Sequence, residues 1–275
     1  MKRIALGVNL FGTSNRTDLC IESILKCQNK HTNIDLFNIQ FKQPAKFRSH
    51  DSFKLLNVLE KSNQDVIKSP STKIIPLMSE LFDRLAELDY EYFCFTNDDI
   101  ILSNRYFEFI NNTNYDCYPA SRQAIQPITS LDHSKIVGEH YQVAGFDTFC
   151  IRTDWWRKNT HRFPDYILGH PCWDVHYATL CMRFGTSTLC NKWPPPTFHI
   201  VHGDASHDPS PERDHNFSLY WKPHKFDVDM WHNYLFKVLL RRPGENYMTP
   251  HSDEEQLEKQ YFSDDWFKDN YQSYQ

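Results

Sequence analysis

An apolar segment that ends in three polar residues limits what this chain can fold into more than any other feature. Residues 92–95 (Tyr-Phe-Cys-Phe) carry no charge and are rich in aromatic side chains, which is typical of a buried strand. Asn97, Asp98 and Asp99 follow, and apolar residues resume at 100–102. A carboxylate beside a buried strand is costly unless it is paired or binds a cation. The segment therefore predicts either a divalent metal site at a strand end or a turn in which Asn97 and Asp98 cap a helix.

Composition excludes several classes of function. The 275 residues suffice for one large domain or two small ones, and a hydrophobic fraction of 40% predicts a globular chain with a substantial core. A net charge of −5 provides no basic surface for nucleic acid or an anionic membrane, so we expect no nucleic-acid partner. Only 8 glycines are present, which argues against a glycine-rich phosphate loop.

The amino terminus and the cysteines indicate a reduced, soluble protein. The first apolar stretch is too short for a signal peptide, and the polar residues Asn9 and Arg16 prevent its extension. No run approaches the roughly 18 apolar residues of a spanning helix, so we expect a cytoplasmic protein with at most peripheral membrane contact. The 8 cysteines are scattered without a CxxC pair, which favours buried free thiols over disulfides or a zinc site. The oligomeric state is not indicated.

Strand and helix patterns alternate through the first hundred residues. We predict strands at 4–10, 34–41 and 92–95, and helices at 17–26, 53–59 and 77–88. Such alternation implies right-handed crossovers and a largely parallel sheet. Ligands bind beyond the carboxyl ends of the strands in open sheets of this kind, and residues 97–99 lie at such an end. The pattern thus favours the metal interpretation over the turn.

The second half of the chain is less regular. We predict a strand at 148–151, a loop at 168–174, a helix at 175–184 and a strand at 197–201. After about residue 208 the chain turns polar, with a further helix predicted at 227–240.

Taken together, these segments resemble the nucleotide-sugar-dependent glycosyltransferases of the GT-A fold. Asn97-Asp98-Asp99 looks like the DxD motif of that group in an Asn-x-Asp variant. The segments 145–149 (Gly-Phe-Asp-Thr-Phe) and 169–174 (Gly-His-Pro-Cys-Trp-Asp) resemble the donor-sugar and acceptor-side segments of small bacterial and viral members. The segment 199–207 resembles the histidine-bearing segment that supplies a further metal ligand in many of these enzymes. The four motifs occur in the expected order.

The resemblance implies an α/β fold with one GT-A-like domain at residues 1–207, in which helices flank a mostly parallel central sheet. Residues 1–102 would form the nucleotide-binding half, 103–207 the acceptor and sugar half, and 208–275 a C-terminal extension. It also implies a metal-dependent hexosyl- or related transferase. Its donor would be a nucleoside-diphosphate sugar and its acceptor a glycan, glycolipid or protein, as in polysaccharide biosynthesis.

By the same resemblance, a Mn²⁺ or Mg²⁺ ion would bridge the two phosphates and stabilise the charge on the leaving diphosphate. Asp99 would bind the ion directly, Asn97 would face the ribose or a metal-bound water, and Asp98 would be a neighbouring contact. His202 or His207 would complete the site. An imidazole ligand favours Mn²⁺ over Mg²⁺.

Two acids of the second half are candidates for roles at the sugar, and each has a structural alternative. Asp174 would take the proton of the acceptor hydroxyl in an inverting enzyme, or orient acceptor or sugar in a retaining one. It could instead be the N-cap of the following helix. Asp147 would bind hydroxyls of the donor sugar or terminate a turn. His199 lies inside an apolar strand and is expected in the core.

The nucleotide would contact the loop after the first strand, where Asn9, Leu10 and Phe11 lie, with Arg16 shortly after. Arg16 and Lys73 are candidates to neutralise the diphosphate, and solvation at the surface is the alternative for both. Three aromatic residues would stack on sugar rings or pack in the core: Trp155, Trp156 and Trp173.

Two other functions stay open on the sequence. A sugar nucleotidyltransferase would share the nucleotide-binding half, but it needs a glycine-rich basic loop after the first strand, and residues 9–16 hold only Gly12. A non-catalytic carbohydrate-binding protein on the same fold would tolerate Asn97 in the motif. Such a protein should show no ordered diphosphate at Asp99 in the presence of Mn²⁺.

Overall fold

The computed structural model describes residues 2–12, 14–42, 47–68, 73–131, 141–187, 196–202 and 208–221. His207, the helix predicted at 227–240 and most of the predicted C-terminal extension lie outside these residues.

An eight-stranded sheet organises the described part of the chain. Four of its seven strand pairings are parallel (β1–β2, β1–β4, β2–β3 and β6–β8) and three are antiparallel. This confirms the predicted α/β class with a mostly parallel sheet. The spatial order is β3-β2-β1-β4-β7-β6-β8-β5. The strands are β1 (Ile4–Val8), β2 (Ile34–Phe41), β3 (Lys54–Leu59), β4 (Tyr92–Thr96), β5 (Ile100–Leu102), β6 (Cys117–Ile125), β7 (Tyr141–Arg152) and β8 (Thr197–Ile200).

Helices connect the strands and flank the sheet. The first begins after Ser14, whose hydroxyl caps it by accepting a hydrogen bond from the Thr17 N–H. Among the described residues, no helix is long and apolar enough to cross a membrane. The helices are α1 (Asn15–Lys30), α2 (Asn63–Val66), α3 (Met78–Ala86), α4 (Asn104–Asn112), α5 (Thr153–Asn159), α6 (Trp173–Phe184) and α7 (Pro211–Trp221).

The prediction of a helix at residues 53–59 was wrong, because Lys54–Leu59 form strand β3 at one edge of the sheet. The apolar residues of this segment fit a helical stripe and an alternating strand almost equally well. In the structure Leu55 and Asn57 are exposed, whereas Leu56 and Val58 are half-buried and Leu59 is buried, and the strand pairs in parallel with β2. Pairing with β2 stabilises the extended conformation of this segment. The pattern within residues 53–59 contains no information about that pairing.

The central strand β4 has a hydrophobic core on each of its faces. Phe93 and Phe95 pack on one side with Phe82 of α3, while Tyr92 and Cys94 pack on the other. All five residues of the strand are buried, as the uncharged sequence predicted. The seven cysteines that the structure describes are all free thiols. Because β4 is fixed in the core, the polar residues 97–99 lie at the carboxyl end of this strand.

Candidate active site

Strands β1 and β4 run in parallel register, so the loops that follow them meet at one edge of the sheet. Gly7 pairs with Phe95, and the backbone leaves the sheet a few residues later in both cases. Asp98 joins the two loops, since its Oδ2 accepts hydrogen bonds from the Gly12 N–H at 3.1 Å and the Thr17 hydroxyl at 3.5 Å. Burial and the neighbouring charge of Asp99 raise the pKa of Asp98. Asp98 thus anchors the start of α1 to the strand end.

Asp99 lies with two histidines at this edge. Its Oδ2 is 3.3 Å from Nε2 of His199 and 3.3 Å from Nε2 of His202, and the two Nε2 atoms are 3.2 Å apart. Asp99 directly precedes β5, which pairs with β8 so that Ile100 lies opposite His199. His202 follows the end of β8. The antiparallel β5–β8 pair therefore brings together residues that are about a hundred positions apart in the sequence.

These three side chains suit a divalent cation. Their ligand atoms lie within 4.8 Å of one another, and an oxygen with two imidazole nitrogens is a ligand set for a transition metal such as Mn²⁺ rather than Mg²⁺. Burial alone would raise the pKa of Asp99, but hydrogen bonds with His199 and His202 and the charge of Arg122 lower it below its usual value. Asp99 is therefore held in the anionic form that binds metal.

His199 was expected to be a core residue, and that expectation was wrong. It lies in β8 between the buried residues Phe198 and Ile200, and its own side chain is only 14% exposed, yet the ring meets Asp99 and His202. The alternation of a strand turns His199 away from its apolar neighbours and toward the other side of β8. A histidine between two inward-facing apolar residues is the signal that could have identified it.

Asp147 and Asn97 form the second part of the site, together with an arginine that was not singled out from the sequence. Asp147 is buried in β7, and its Oδ1 accepts a hydrogen bond from Asn97 Nδ2 at 2.7 Å. Its Oδ2 pairs with Arg122 of β6 at 2.5 Å. Burial raises the pKa of Asp147, and Asp99 adds to this effect, while Arg122 opposes it. The side chains of Asn97, Asp147 and Arg122 thus form a connected group beside Asp99.

Two buried polar atoms of this group have no hydrogen-bond partner among the described residues, namely Oδ1 of Asn97 and Nε of Arg122. Arg122 lies where the β6–β7 pairing shifts register, and it packs so close to Gly145 that a Cβ there would be 2.8 Å from its Nε. Such bulges often redirect side chains next to functional sites. Among the described residues, one acceptor and one donor beside Asp99 are therefore unpaired.

Replacing Arg122 by Ala should lower the free energy of unfolding by about 3 kcal/mol, the lower end for breaking a buried ion pair, because Asp147 would remain buried without its partner. Urea denaturation of the full chain measures this. Combining Arg122→Ala with Asp147→Asn should recover most of the loss. Lys26→Ala, which breaks the exposed Lys26–Glu22 pair, is the control and should change stability by less than about 0.5 kcal/mol. A double variant no more stable than Arg122→Ala would contradict this interpretation.

Asp174 stands in the first turn of α6 and faces β7. Its Oδ2 accepts a hydrogen bond from the Phe146 N–H at 3.0 Å. The N-cap position is occupied by Cys172, whose φ of 83° is left-handed, so Asp174 is not the N-cap that the alternative interpretation required. Burial and then the charge of Asp147 raise the pKa of Asp174 to about 6. A carboxylate with such a pKa can accept a proton near neutral pH.

The predicted nucleotide contacts have different surroundings. Asn9 is buried and donates from Nδ2 to the Ile39 carbonyl at 2.5 Å, and Leu10 is fully buried. Phe11, next in the loop, is 63% exposed. Arg16 lies in the first turn of α1 and its buried Nε has no partner among the described residues. These four positions surround the strand end that Asp98 fixes, and their nucleotide contacts stay predictions.

Lys73 and the three tryptophans considered for sugar stacking lie outside the loop that follows β1. Lys73 is exposed, and its charge adds to the effect of burial in lowering the pKa of His170. It therefore lies near the loop that leads to Asp174. Trp156 is fully buried and packs against Phe163, with 4.5 Å between ring centroids, so the structure favours core packing over sugar stacking. Trp155 and Trp173, the other two candidates for sugar stacking, are also buried.

Comparison with solved structures identifies the fold. The chain is similar to TarS residues 1–349 of S. aureus in complex with UDP-GlcNAc, with 11% identity over 99% of this chain and 74% of that chain, and a TM-score of 0.50. A galactosyltransferase, LgtC, in complex with donor and acceptor sugar analogues is 10% identical over 80% of this chain and 99% of its own, with a TM-score of 0.39. A glycosyltransferase involved in glycosylation of the major capsid of PBCV-1 is 11% identical over 78% and 98%, with a TM-score of 0.34.

No protein-family model matches the sequence, and comparison with curated proteins found no match either. The similarity to TarS shows the fold: this chain has the GT-A fold of the nucleotide-sugar-dependent glycosyltransferases. The fold that the sequence resemblance implied is thereby confirmed.

Proposed function

We propose that the protein is a metal-dependent glycosyltransferase that moves a sugar from a nucleoside-diphosphate sugar to a hydroxyl of a carbohydrate-bearing acceptor. The observation that carries this proposal is the convergence of Asp99, His199 and His202 at the carboxyl edge of a GT-A sheet. In open sheets of this kind, ligands bind at that edge. TarS is described in complex with UDP-GlcNAc, which makes a uridine diphosphate sugar the first donor class to test.

Asp99, His199 and His202 would hold Mn²⁺, with Mg²⁺ as the weaker alternative. When bound, the ion would stabilise negative charge on the leaving diphosphate. The chain prepares this site by holding Asp99 in its anionic form through the two histidines and Arg122. Asp98 would support the site indirectly, because it accepts hydrogen bonds from Gly12 and Thr17 and so fixes the start of α1. His207 remains a further candidate ligand.

The loop after β1 would hold the nucleotide. Arg16 supports this proposal, because a cationic side chain in the first turn of a helix gains nothing from the helix dipole, whereas an anion bound there does. Its Nε, which has no hydrogen-bond partner among the described residues, would donate to a diphosphate oxygen. Asn9 and Leu10 would act by shaping the loop, and the exposed ring of Phe11 would lie beside the base. Lys73 would contribute through long-range attraction.

Asp147, Asn97 and Arg122 would bind the donor sugar. A sugar hydroxyl both donates and accepts hydrogen bonds, so it matches the acceptor Oδ1 of Asn97 and the donor Nε of Arg122, neither of which has a partner among the described residues. Buried polar atoms that make no hydrogen bond lower the stability of a protein, so a bound sugar that pairs with both atoms would be favoured. Asp174, whose pKa is raised to about 6, would take the proton of the acceptor hydroxyl as the new bond forms.

A panel of nucleotide sugars tests the function. We expect one donor to be hydrolysed slowly in the presence of Mn²⁺, and the same donor to raise the Tm of the protein. Both effects should disappear with chelator. Binding without turnover for every donor would identify a carbohydrate-binding protein. Release of pyrophosphate from a sugar 1-phosphate and a nucleoside triphosphate would identify a nucleotidyltransferase. Either result would overturn the proposal.

Replacing either histidine of the site by Ala should raise the Mn²⁺ concentration needed for half-maximal thermal shift by roughly 10-fold or more, because metal sites lose about this much when a supporting group is removed. The Tm in chelator should change little. His161→Ala is the matched control, since that ring is exposed. If His199→Ala and His202→Ala lower the Tm equally with and without Mn²⁺, these histidines are structural.

A further inference from the structure

Helix α7 presents a line of buried polar residues that the proposed function does not use. Glu212, Asn216 and Tyr220 are spaced four residues apart, which places them on one face of the helix. All three are buried, and Asn216 has no exposed surface at all. Polar groups are buried at a cost that only good hydrogen bonds offset. The hydrogen-bond partners of these residues therefore indicate the structural role of α7.

Asn216 commits its whole amide group to one loop. Its Oδ1 accepts a hydrogen bond from the Ile167 N–H at 2.9 Å, and its Nδ2 donates to the Ile167 carbonyl at 3.0 Å and the Pro171 carbonyl at 3.1 Å. A single side chain thus holds both ends of the segment 167–171. The other side of this segment is held by Leu77, the residue before α3, through its bridge with Ile167.

This loop leads into Asp174 through an unfavourable backbone conformation. Gly169 has a φ of 75° and Cys172 a φ of 83°. The left-handed region suits Gly169, but Cys172 carries a Cβ that disfavours it. Cys172 makes no side-chain capping hydrogen bond at the start of α6, so its own side chain does not stabilise this conformation. The preceding residue is Pro171, and Asn216 fixes its carbonyl.

We infer that Asn216 is a positioning residue for Asp174. By holding the Ile167 and Pro171 carbonyls, it sets the direction in which the chain enters α6, and Asp174 lies in the first turn with its Oδ2 at 3.0 Å from the Phe146 N–H. This role rests on the proposed function, in which Asp174 is the base. It also extends the catalytic domain beyond residue 207, through α7.

Another contact of the same helix supplies a matched control. Glu212 accepts a hydrogen bond from Asn63 Nδ2 at 2.9 Å, and Asn63 is itself fully buried. Asn63 also bonds to backbone, since its Oδ1 accepts from the Ile75 N–H at 3.0 Å. Asn63 and Asn216 are therefore alike in residue type, burial and number of hydrogen bonds, but Asn216 bonds to the loop before Asp174, whereas Asn63 bonds to Lys73, Ile75 and Glu212.

The experiment compares Asn216→Ala with Asn63→Ala in the full chain. Amide hydrogen exchange at Phe146 reports whether Asp174 keeps its place, because that N–H donates to Asp174. For Asn216→Ala we expect at least roughly 10-fold faster exchange at Phe146 and turnover reduced by about 10- to 100-fold, the usual effect of displacing a reacting group by about 1 Å. The Mn²⁺ concentration for half-maximal thermal shift should stay within about 2-fold of wild type. Asn63→Ala should change stability without changing exchange at Phe146.

Wild-type exchange at Phe146 in Asn216→Ala would overturn the inference. Equal changes in exchange and turnover in Asn63→Ala would also overturn it, because loss of stability alone would then explain both. If Asn216→Ala does not fold, Asn216→Leu replaces it: it keeps the size of the side chain and loses all three hydrogen bonds, so the same changes are expected. If wild type transfers no sugar at all, the proposed function fails, while exchange at Phe146 still decides the role of Asn216.

Discussion

Asp99→Ala is expected to abolish sugar transfer and the Mn²⁺-dependent rise in Tm together. Asp99 is the one carboxylate that lies within 3.3 Å of both His199 and His202 among the described residues. Without it, two neutral imidazoles would face the ion, and the negative charge that attracts a divalent cation would be lost. Differential scanning fluorimetry with Mn²⁺ and with chelator measures binding, and donor hydrolysis measures activity. The Tm in chelator should fall modestly, because the folded protein favours the Asp99 anion, so the test is the loss of the Mn²⁺-dependent difference in Tm.

Asp98→Asn is the matched control for Asp99→Ala. An Asn side chain can still accept the hydrogen bonds from the Gly12 N–H and the Thr17 hydroxyl, so the loop after β1 should keep its position. Burial and Asp99 raise the pKa of Asp98, so a neutral side chain should be tolerated there. We expect a normal Mn²⁺-dependent thermal shift. If Asp98→Asn loses the shift and Asp99→Ala keeps it, the assignment of the metal ligand is wrong.

Asp174→Asn is expected to lower turnover by roughly 10² to 10⁴ while donor binding survives. The amide oxygen can still accept the hydrogen bond from the Phe146 N–H, so the shape of the site is preserved, but the group can no longer take a proton. Donor affinity is measured by thermal shift and turnover by product release. Near-normal turnover would reject the base role. Product stereochemistry completes the test: inversion supports a base, whereas retention leaves Asp174 as a positioning group.

The pH dependence of both turnover and stability should report Asp174. A base must be deprotonated, so wild-type turnover should rise with pH around the pKa of about 6. Between the unfolded pKa of about 4 and the folded pKa, Asp174 is protonated in the folded protein and ionised in the unfolded chain. Its contribution to stability therefore falls as pH rises through that interval. Asp174→Asn lacks this decrease. Its Tm relative to wild type should therefore be higher above pH 6 than below pH 4, and a constant difference would contradict the raised pKa.

Much of the sheet and part of the candidate site could be predicted from local sequence. The run 92–95 is uncharged because β4 is buried on both faces, and such burial leaves a direct compositional trace. The position of Asp99 is predictable for the same reason, because it needs only the end of that strand. Asp174 was identified from its neighbours in a glycine- and proline-containing loop. In each case the determining interactions lie within a few residues.

The missed features depend on contacts between distant segments. His199 joins Asp99 because β8 pairs with β5, a pairing between segments about a hundred positions apart in the sequence. Arg122 lies in a strand that was not predicted, and its partner Asp147 is on another strand. Helix α7 buries a polar face, including Asn216, so a search for apolar stripes passes over it. Buried polar groups are specified by their partners, which a single sequence pattern does not list.

Pulsed electron paramagnetic resonance of Mn²⁺ bound to the full chain tests the central claim most directly, because it identifies the nuclei around the ion. With the nucleoside diphosphate of the best donor present, we predict ¹⁴N couplings from two imidazoles and a ³¹P coupling from the diphosphate. His199→Ala should lose one of the two nitrogen couplings and keep the phosphorus coupling. A spectrum of Mn²⁺ surrounded by water alone, or nitrogen couplings without phosphorus, would contradict a donor site built on Asp99, His199 and His202.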